Sequence, residues 1–165
     1  MQGGGSDLIF PHHFMTKIIS EDISGRVFAS EYVHTGLIGL DGEKMSKSRG
    51  NLVFVHKLLN EGIDAMCIRL ALMSGKYSQD RAWSQELLSD SINLLERIKL
   101  CISRTEVADT KNLIDKLIEA LSNDLDTPKC IHLLDSWCEE TLKGGIGGNP
   151  GELSRFLDSA LGLAV

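Results

Sequence analysis

The chain has 165 residues, of which 42% are hydrophobic and 24% charged, and this balance excludes wholesale disorder. Its 17 Lys and Arg residues against 23 Asp and Glu residues give a net charge of −6, which disfavours a large nucleic-acid-binding surface. No apolar run reaches the roughly 18 residues that a membrane span needs, and the N-terminal residues lack the pattern of a signal peptide. We therefore expect a cytoplasmic protein without a membrane partner, folded as one domain or as a small domain with an appendage.

The first sixty residues predict short strands, helices and glycine-containing loops. β-branched and aromatic residues occur in short runs here, and glycine or proline interrupts each run. The expected elements are, in chain order, a buried strand at Leu8–Phe10, a helix at about Phe14–Asp22 that stops near Gly25, extended structure at Phe28–Leu40, and a polar loop at 41–50.

From about residue 61 onward, apolar residues recur every three or four positions, which predicts amphipathic helices. Asp64, Asp126 and Asn149 each precede such a stretch, and their side chains can accept hydrogen bonds from the free N–H groups of a helix N-terminus. The fold class is therefore mainly α, with a short α/β part at residues 1–60 and a helical bundle at residues 61–165. The side chains expected to face the core are Leu88, Ile92, Leu95, Ile98 and Ile102; Leu113, Ile114, Leu117, Ile118 and Leu121; Ile131, Leu134, Cys138 and Leu142; and Leu153, Phe156, Leu157, Ala160 and Leu161.

The four cysteines have apolar neighbours at helical spacing, and they contain no C-x-x-C pair. This pattern favours reduced thiols in the core over disulfides or a cysteine-based metal site. Trp83, Trp137 and Tyr77 are likewise expected to be packing anchors rather than platforms for stacked bases. The cysteines are Cys67, Cys101, Cys130 and Cys138.

The most specific chemical signal is the Lys-Met-Ser-Lys-Ser sequence at residues 44–48 (KMSKS). Two ammonium groups three residues apart, Lys44 and Lys47, suit a triphosphate, and the hydroxyls of Ser46 and Ser48 add directional donors. A loop of this kind can close on the phosphates as negative charge builds on the leaving group. The alternative interpretation is a solvated charge run, but five specified residues in order rarely arise by chance.

This sequence resembles the signature loop of class I aminoacyl-tRNA synthetases. Two other segments, Gly3–His13 and Tyr32–Gly36, are similar to the glycine-rich, zinc-adjacent region and the following region of cysteinyl-tRNA synthetases. The resemblance implies that residues 1–60 form the C-terminal remainder of a nucleotide-binding, Rossmann-like catalytic domain, and that a helical bundle follows at residues 61–165.

Within this superfamily, the chain is more similar to the cysteine ligase family of mycothiol biosynthesis. The likeness is carried by Ile38–Glu43, Tyr77–Arg81 and Asp124–Lys129, and it covers essentially the whole chain but only the C-terminal part of the family's length. It implies an ATP-dependent, AMP-producing enzyme, with Mg²⁺ accompanying the ATP. Such an enzyme activates L-cysteine as cysteinyl-adenylate and joins it to the amine of glucosaminyl-inositol.

The resemblance also implies the residues of the adenylate site. Gly5, Ser6 and Asp7 match the segment that contacts the aminoacyl-adenylate, and Ile38 matches a residue beside the adenine. The residue types agree with this role, since glycine allows close backbone approach and a carboxylate can accept from an ammonium or a ribose hydroxyl. Lys44 and Lys47 are the expected catalytic residues. The expected nucleotide-binding set is Gly5, Ser6, Asp7, Ile38, Lys44, Met45, Ser46, Lys47 and Ser48.

One zinc ligand, His12, is also implied by the resemblance. A neutral imidazole suits zinc, and a thiolate-binding zinc ion gives a physical means to prefer cysteine over serine. The family's two cysteine ligands would lie upstream of Met1. Thr16 stands where cysteinyl-tRNA synthetases place a glutamate ligand, and the mycothiol ligases also lack that glutamate. His13 is expected to have a supporting or structural role.

Two alternatives to the ligase stay open. The chain could be a cysteinyl-tRNA synthetase fragment, although its five Lys and Arg against nine Asp and Glu from Thr110 onward suit an anticodon stem poorly. It could also be a non-catalytic remnant or one subunit of a split enzyme, because it lacks an H-x-G-H-type nucleotide motif and the first half of the nucleotide fold. We expect little or no adenylation by this chain alone, and a separate N-terminal half is a candidate partner, whereas tRNA is not an expected partner.

Overall fold

A computed structural model of the chain describes residues 1–40 and 43–165, which form two compact units. The first unit comprises Met1–Leu52 together with Tyr77–Trp83, and the second comprises Val53–Lys76 together with Ser84–Val165. Two residues of the predicted polar loop, Asp41 and Gly42, lie outside the described residues. The division into domains at 1–60 and 61–165 stays a prediction.

Two parallel strands and a helix form one part of the first unit. β1 (Gln2–Gly5) pairs with β2 (Tyr32–Thr35), and α1 (Phe14–Ser24) lies between them in the chain. α1 begins at its predicted residue and continues to Ser24, two residues beyond the predicted Asp22, and Gly25 follows it directly, as expected. The φ of Gly25 is +63°, which a glycine adopts without the steric cost of a side chain. A parallel pair connected through a helix is the arrangement typical of α/β folds.

The strand predicted at Leu8–Phe10 is wrong. The strand is the glycine-rich segment β1 itself. A helical turn at Ser6–Leu8 follows it, and the next turn, Ile9–His13, is interrupted at Phe10, whose backbone is extended with φ −135° and ψ 135°. The apolar residues indicated burial, but Ile9 is 50% exposed and Phe10 is 70% exposed. Glycines can occupy the strand because its hydrogen bonds to β2 use only backbone groups. The pairing partner lies far away in the chain, so a local sequence pattern does not reveal it.

β3 (Ile38–Leu40) is the central strand of a second, three-stranded sheet. β4 (Glu43–Lys44) pairs with it in antiparallel orientation, and β5 (Arg81–Trp83) pairs with it in parallel. The backbone N–H of Leu37 donates to Oδ1 of Asp80 at 2.7 Å. The β3–β5 pairing and the Leu37–Asp80 hydrogen bond attach residues 77–83 to the first unit, although these residues follow two helices of the second unit in the chain.

The second unit is a helical bundle that holds nearly all of the core. In the described part of the chain, every buried apolar side chain except Trp83 belongs to this unit. The mainly α fold class is thereby confirmed. None of the helices in residues 1–40 and 43–165 is both long enough and apolar enough to cross a membrane. The helices of the second unit are α2 (Val55–Asn60), α3 (Ala65–Met73), α4 (Gln85–Ile102), α5 (Thr110–Ser122), α6 (Thr127–Leu142) and α7 (Pro150–Phe156), and a π-type turn follows at Leu157–Leu161.

The three predicted helix caps are confirmed. The side chains of Asp64, Asp126 and Asn149 each accept a hydrogen bond from a backbone N–H two or three residues further on, at 2.8, 3.3 and 3.2 Å respectively. Each cap satisfies a donor that the helix itself leaves free. These caps begin α3, α6 and α7 at their predicted positions.

The inward face of α6 differs from the prediction. Leu142 is 43% exposed, whereas Trp137 and Thr141 are buried. Their polar atoms have partners: Nε1 of Trp137 donates to the carbonyl of Ala108 at 3.0 Å, and the hydroxyl of Thr141 accepts from the N–H of Ala108 at 3.1 Å. Satisfied polar groups can be buried at little cost, which an apolar pattern does not reveal. Two other predicted core residues, Ile118 and Ala160, are also exposed.

The cysteines are buried free thiols, as predicted. Burial raises the pKa of all four thiols, and that of Cys130 to about 11. Trp83 and Trp137 are 5% and 3% exposed, which confirms their assignment as packing anchors.

Candidate functional site

The lysine loop begins in the hairpin formed by β3 and β4. Gly39 lies opposite Lys44 in this hairpin. A Cβ atom at Gly39 would lie only 2.7 Å from the carbonyl oxygen of Glu43, so the two backbones approach more closely than any side chain at this position would permit. The glycine therefore determines where Lys44 leaves the sheet.

Lys44 contacts Asp7, a residue 37 positions earlier in the chain. Its Nζ donates to Oδ2 of Asp7 at 2.9 Å, and the two side chains are 57% and 44% exposed. The hydrogen bond from Lys44 is the main reason that the pKa of Asp7 lies below its ordinary value, which favours the carboxylate. A Cβ at Gly5 would lie 2.6 Å from Oδ1 of Asp7, so the glycine leaves room for this carboxylate. The structure thus brings together three predicted site residues.

The remainder of the loop is a hydrogen-bonded turn. The N–H of Ser46 donates to Oδ1 of Asn51 at 2.9 Å, and Nδ2 of Asn51 donates to the carbonyl of Lys44 at 3.4 Å. The hydroxyls of Ser46 and Ser48 lie 3.2 Å apart. Sequence reasoning missed Asn51, whose only signal was its place directly after the loop.

In the described part of the chain, no side-chain hydrogen bond or ion pair connects four of the predicted site residues with the Asp7–Lys44 pair. Lys47 is exposed and forms no ion pair with any residue that the structure describes. Met45 and Ser6 are half-buried, and so is Ile38, the first residue of β3. The structure therefore leaves the ammonium of Lys47 open to solvent, while that of Lys44 is held by a carboxylate.

A cavity of about 350 Å³ lies beside β3 and Lys44. Leu37 and Gly39 line it. Since successive residues of a strand face opposite sides, Ile38 faces away from this cavity, and an adenine beside Ile38 would occupy the other side of the strand. The lining residues are Leu37, Gly39, Glu43, Lys44, Asp80, Arg81 and Ala82.

The two adjacent histidines have different surroundings. His12 is exposed, and its carbonyl accepts from the hydroxyl of Thr16 at 2.8 Å. Nδ1 of His13 lies 2.8 Å from Nε2 of His34, so that one imidazole donates and the other accepts. A Cβ at Gly4 would lie 2.7 Å from Cε1 of His13, so the glycine-rich strand also makes room for this pair. Sequence reasoning did not single out His34, which lay within a segment noted only for its resemblance.

The residues that the structure describes do not form a complete metal site. No three or more His, Cys, Asp or Glu side chains among them lie close enough to share an ion. The cysteines are buried in the helical unit, where raised pKa values disfavour the thiolates that zinc requires. The residues present therefore do not fit a bound zinc ion, and at most His12 could be contributed to one.

Residues 1–93, more than half of the chain, match the family model for the class I (C) tRNA synthetase catalytic domain. The matched range includes both the Asp7–Lys44 contact and the hairpin that carries the loop.

Several curated relatives carry one name, L-cysteine:1D-myo-inositol 2-amino-2-deoxy-alpha-D-glucopyranoside ligase. The protein from Rhodococcus erythropolis is 47% identical over 168 residues, which cover 100% of this chain and 41% of the relative. The protein from Nakamurella multipartita is 53% identical over 146 residues, which cover 87% of this chain and 36% of the relative. The predicted resemblance to this ligase family is confirmed. The chain spans about two fifths of the length of the curated relatives it matches.

A solved structure shares the fold at low sequence identity. The structure is that of a ternary complex of Agrobacterium radiobacter K84 LeuRS with tRNA and LeuAMS. The superposition covers 98% of this chain and 26% of the LeuRS chain, with a TM-score of 0.68 and 17% sequence identity. This likeness shows the fold alone and agrees with the predicted C-terminal part of a class I synthetase. The match over residues 1–93, more than half of the chain, shows that the chain belongs to the class I (C) tRNA synthetase catalytic-domain family.

Proposed function

We propose that this chain supplies one part of the active site of an ATP-dependent ligase, which joins L-cysteine to the amine of glucosaminyl-inositol through cysteinyl-adenylate. The name that the curated relatives share supports this substrate pair. The observation that carries the proposal is the 2.9 Å contact between Asp7 and Lys44. It connects the segment expected to bind the adenylate with the loop expected to bind the triphosphate.

The first half-reaction makes cysteinyl-adenylate. The carboxylate of cysteine attacks the α-phosphorus of ATP, and pyrophosphate leaves with additional negative charge. Lys44 and Lys47 neutralise this charge, which stabilises the transition state more than the ground state. Lys47 is already open to solvent, whereas Lys44 exchanges its contact with Asp7 for one with phosphate. Ser46 and Ser48 hold the loop or donate to phosphate oxygens, Met45 belongs to the same loop, and Mg²⁺ accompanies the nucleotide.

The second half-reaction forms the amide. The amine of glucosaminyl-inositol attacks the carbonyl carbon of the adenylate, loses a proton, and releases AMP. Gly5 allows the backbone to approach the adenylate closely, and Ser6 belongs to the same adenylate-contacting segment. Once released from Lys44, the carboxylate of Asp7 accepts from the cysteine ammonium or a ribose hydroxyl. Ile38 packs beside the adenine.

The proposed site is incomplete within this chain. Zinc, if it is used, takes His12 as one ligand and its other ligands from outside these residues, and no step above depends on it. We propose that a separate N-terminal half completes the site and that the chain alone has little or no adenylation activity. Placement of ATP in line with a carboxylate contributes several kcal/mol to lowering the barrier, and half a site cannot provide it.

The acceptor is tested with a reconstituted enzyme. The chain is combined with the N-terminal portion of the Rhodococcus erythropolis ligase and given cysteine, ATP, and either glucosaminyl-inositol or tRNA. The proposal predicts amide formation with glucosaminyl-inositol and AMP release that depends on it. Preferential aminoacylation of tRNA would reject the ligase in favour of the second candidate below.

A cysteinyl-tRNA synthetase fragment is the second candidate, favoured by the description of the matching family. The acidic C-terminal region, with five Lys and Arg against nine Asp and Glu from Thr110 onward, argues against it. A non-catalytic remnant is the third. It predicts no cysteine-dependent ATP–pyrophosphate exchange even when the assembly contains a folded N-terminal portion.

A further inference from the structure

The helix α1 exposes its apolar side rather than its polar side. In an ordinary surface helix the apolar stripe faces the core and the polar residues face water. Here five large apolar side chains of one helix are between 45% and 81% exposed. They are Phe14, Met15, Ile18, Ile19 and Ile23.

The polar side of α1 lies toward the rest of the first unit. Lys17, Ser20 and Glu21 are all half-buried. Oε1 of Glu21 accepts from the N–H of Phe28 at 3.1 Å, and its other carboxylate oxygen pairs with Nζ of Lys17 at 3.2 Å. The helix is therefore held to its own unit by polar contacts, and its apolar side has no cover among the described residues.

Phe10, which precedes the helix, extends this apolar surface. The ring of Phe10 lies 5.7 Å from that of Phe14, centroid to centroid, and Phe10 is 70% exposed. Taking about 150–200 Å² for a fully exposed large apolar residue, the combined exposure of the six side chains is roughly 600 Å². Monomeric proteins rarely expose an apolar patch above a few hundred Å², and about 800 Å² of total surface per partner is usual in a stable interface, so this patch would supply most of one side of such an interface. We call this set the α1 surface: Phe10, Phe14, Met15, Ile18, Ile19 and Ile23.

The sheet beside α1 also lacks neighbours. β1 and β2 form a parallel pair to which no third described strand is joined. Parallel sheets occur with several strands and with both faces covered, because two strands alone bury too little surface to be stable. Oε1 of Gln2 and Oη of Tyr32 are buried in this pair without a hydrogen-bond partner among residues 1–40 and 43–165.

We propose that the α1 surface is the docking site for the part of a class I ligase catalytic domain that lies outside the region matched here. The matched region is 41% of the Rhodococcus erythropolis relative, so a segment of more than half its length is available to cover this surface. Such a segment would bring both apolar cover and further strands for β1 and β2. A second copy of this chain would bring apolar cover, but its own sheet would have the same deficit. The inference rests on the proposed function only for the identity of the partner.

The test measures binding between this chain and the unmatched portion of the Rhodococcus erythropolis ligase, without nucleotide or cysteine. We expect a 1:1 complex by sedimentation velocity. For Ile19→Glu we expect the dissociation constant to be at least tenfold higher. The matched control is Ile118→Glu on α5. Ile19 and Ile118 are both helical isoleucines with similar exposure, 51% and 48%, so the two substitutions place the same charge at equally exposed sites. The control should bind as the unsubstituted chain does.

Three outcomes would overturn the proposal. They are no binding to a partner that circular dichroism shows to be folded, equal binding by the two variants, and a homodimer of this chain that only Ile19→Glu dissociates. If the partner does not fold by itself, it is fused upstream of Met1, and amide exchange of α1 should then slow at least tenfold relative to the chain alone. Unchanged exchange in the fusion would also refute docking. A complex that forms but has no ligase activity would reject the proposed function and leave this inference standing.

Discussion

Replacement of Gly39 by alanine tests whether the β3–β4 hairpin positions the lysine loop. The added Cβ would lie 2.7 Å from the carbonyl oxygen of Glu43, whereas ordinary contacts begin at 3.4 Å, so the strands must separate by about 0.7 Å (3.4 minus 2.7). The atom in the way is backbone, which cannot rotate aside. Lys44, directly opposite, moves with it.

We expect this shift to slow adenylation at least tenfold. Misplacement of a reacting group by about 1 Å can reduce a rate by roughly a hundredfold, and the expected shift approaches that distance. The assay is cysteine-dependent ATP–pyrophosphate exchange by the reconstituted enzyme. The midpoint of thermal unfolding, followed by circular dichroism, should change little. The dichroism signal comes mainly from the helices of the second unit, whereas Gly39 lies in the first.

Gly3→Ala is the matched control for this substitution. Gly3 also lies in a strand without positive φ, and its Cβ would meet nothing closer than the carbonyl oxygen of Val33 at 3.6 Å. This variant should retain exchange activity within about twofold. Equal activities for the Gly39 and Gly3 variants would refute the positioning role of the hairpin.

Two further predictions concern the helical unit. Asp64→Ala should lower the free energy of unfolding by about 1 kcal/mol in urea titrations at neutral pH, because the helix loses its cap to the N–H of Met66. The contact with Lys99 lowers the pKa of Asp64, so the carboxylate's contribution is complete above its ordinary pKa of 3.8 and is lost as the pH falls through the lowered value. A difference in unfolding free energy between variant and parent that grows as the pH falls below 3.8 would contradict this. Because burial raises the pKa of Cys130 to about 11 and also that of the other thiols, a disulfide reagent at pH 8 should label the native chain slowly and all four thiols after denaturation. Rapid labelling of the native chain would show that these thiols are accessible.

Helix boundaries and the lysine loop were predictable because their signals are local. Asp64, Asp126 and Asn149 cap helices through backbone groups two or three residues away, so the sequence alone contains both partners. The resemblance that identified the family likewise depended on contiguous residues, above all those at positions 44–48.

Contacts between distant residues were not predictable in this way. Asp7 and Lys44 are 37 positions apart, and His13 and His34 are 21 apart. The error at residues 8–10 has the same origin, since apolar residues indicated a buried strand and the structure leaves Ile9 and Phe10 exposed. Such residues suit burial, but a chain pattern does not say against which surface they pack.

The central claim is that the loop at residues 44–48 binds the triphosphate while cysteine is activated, and Lys47→Ala tests it most directly. In the reconstituted enzyme, the account predicts that this variant slows ATP–pyrophosphate exchange by about a hundredfold or more, as loss of one preorganised charge or donor does, with cysteine affinity changed less than twofold. Lys116→Ala, at an exposed lysine of α5, is the control and should retain full activity. Unchanged exchange in the Lys47 variant, or equal losses of exchange rate and cysteine affinity, would contradict the account.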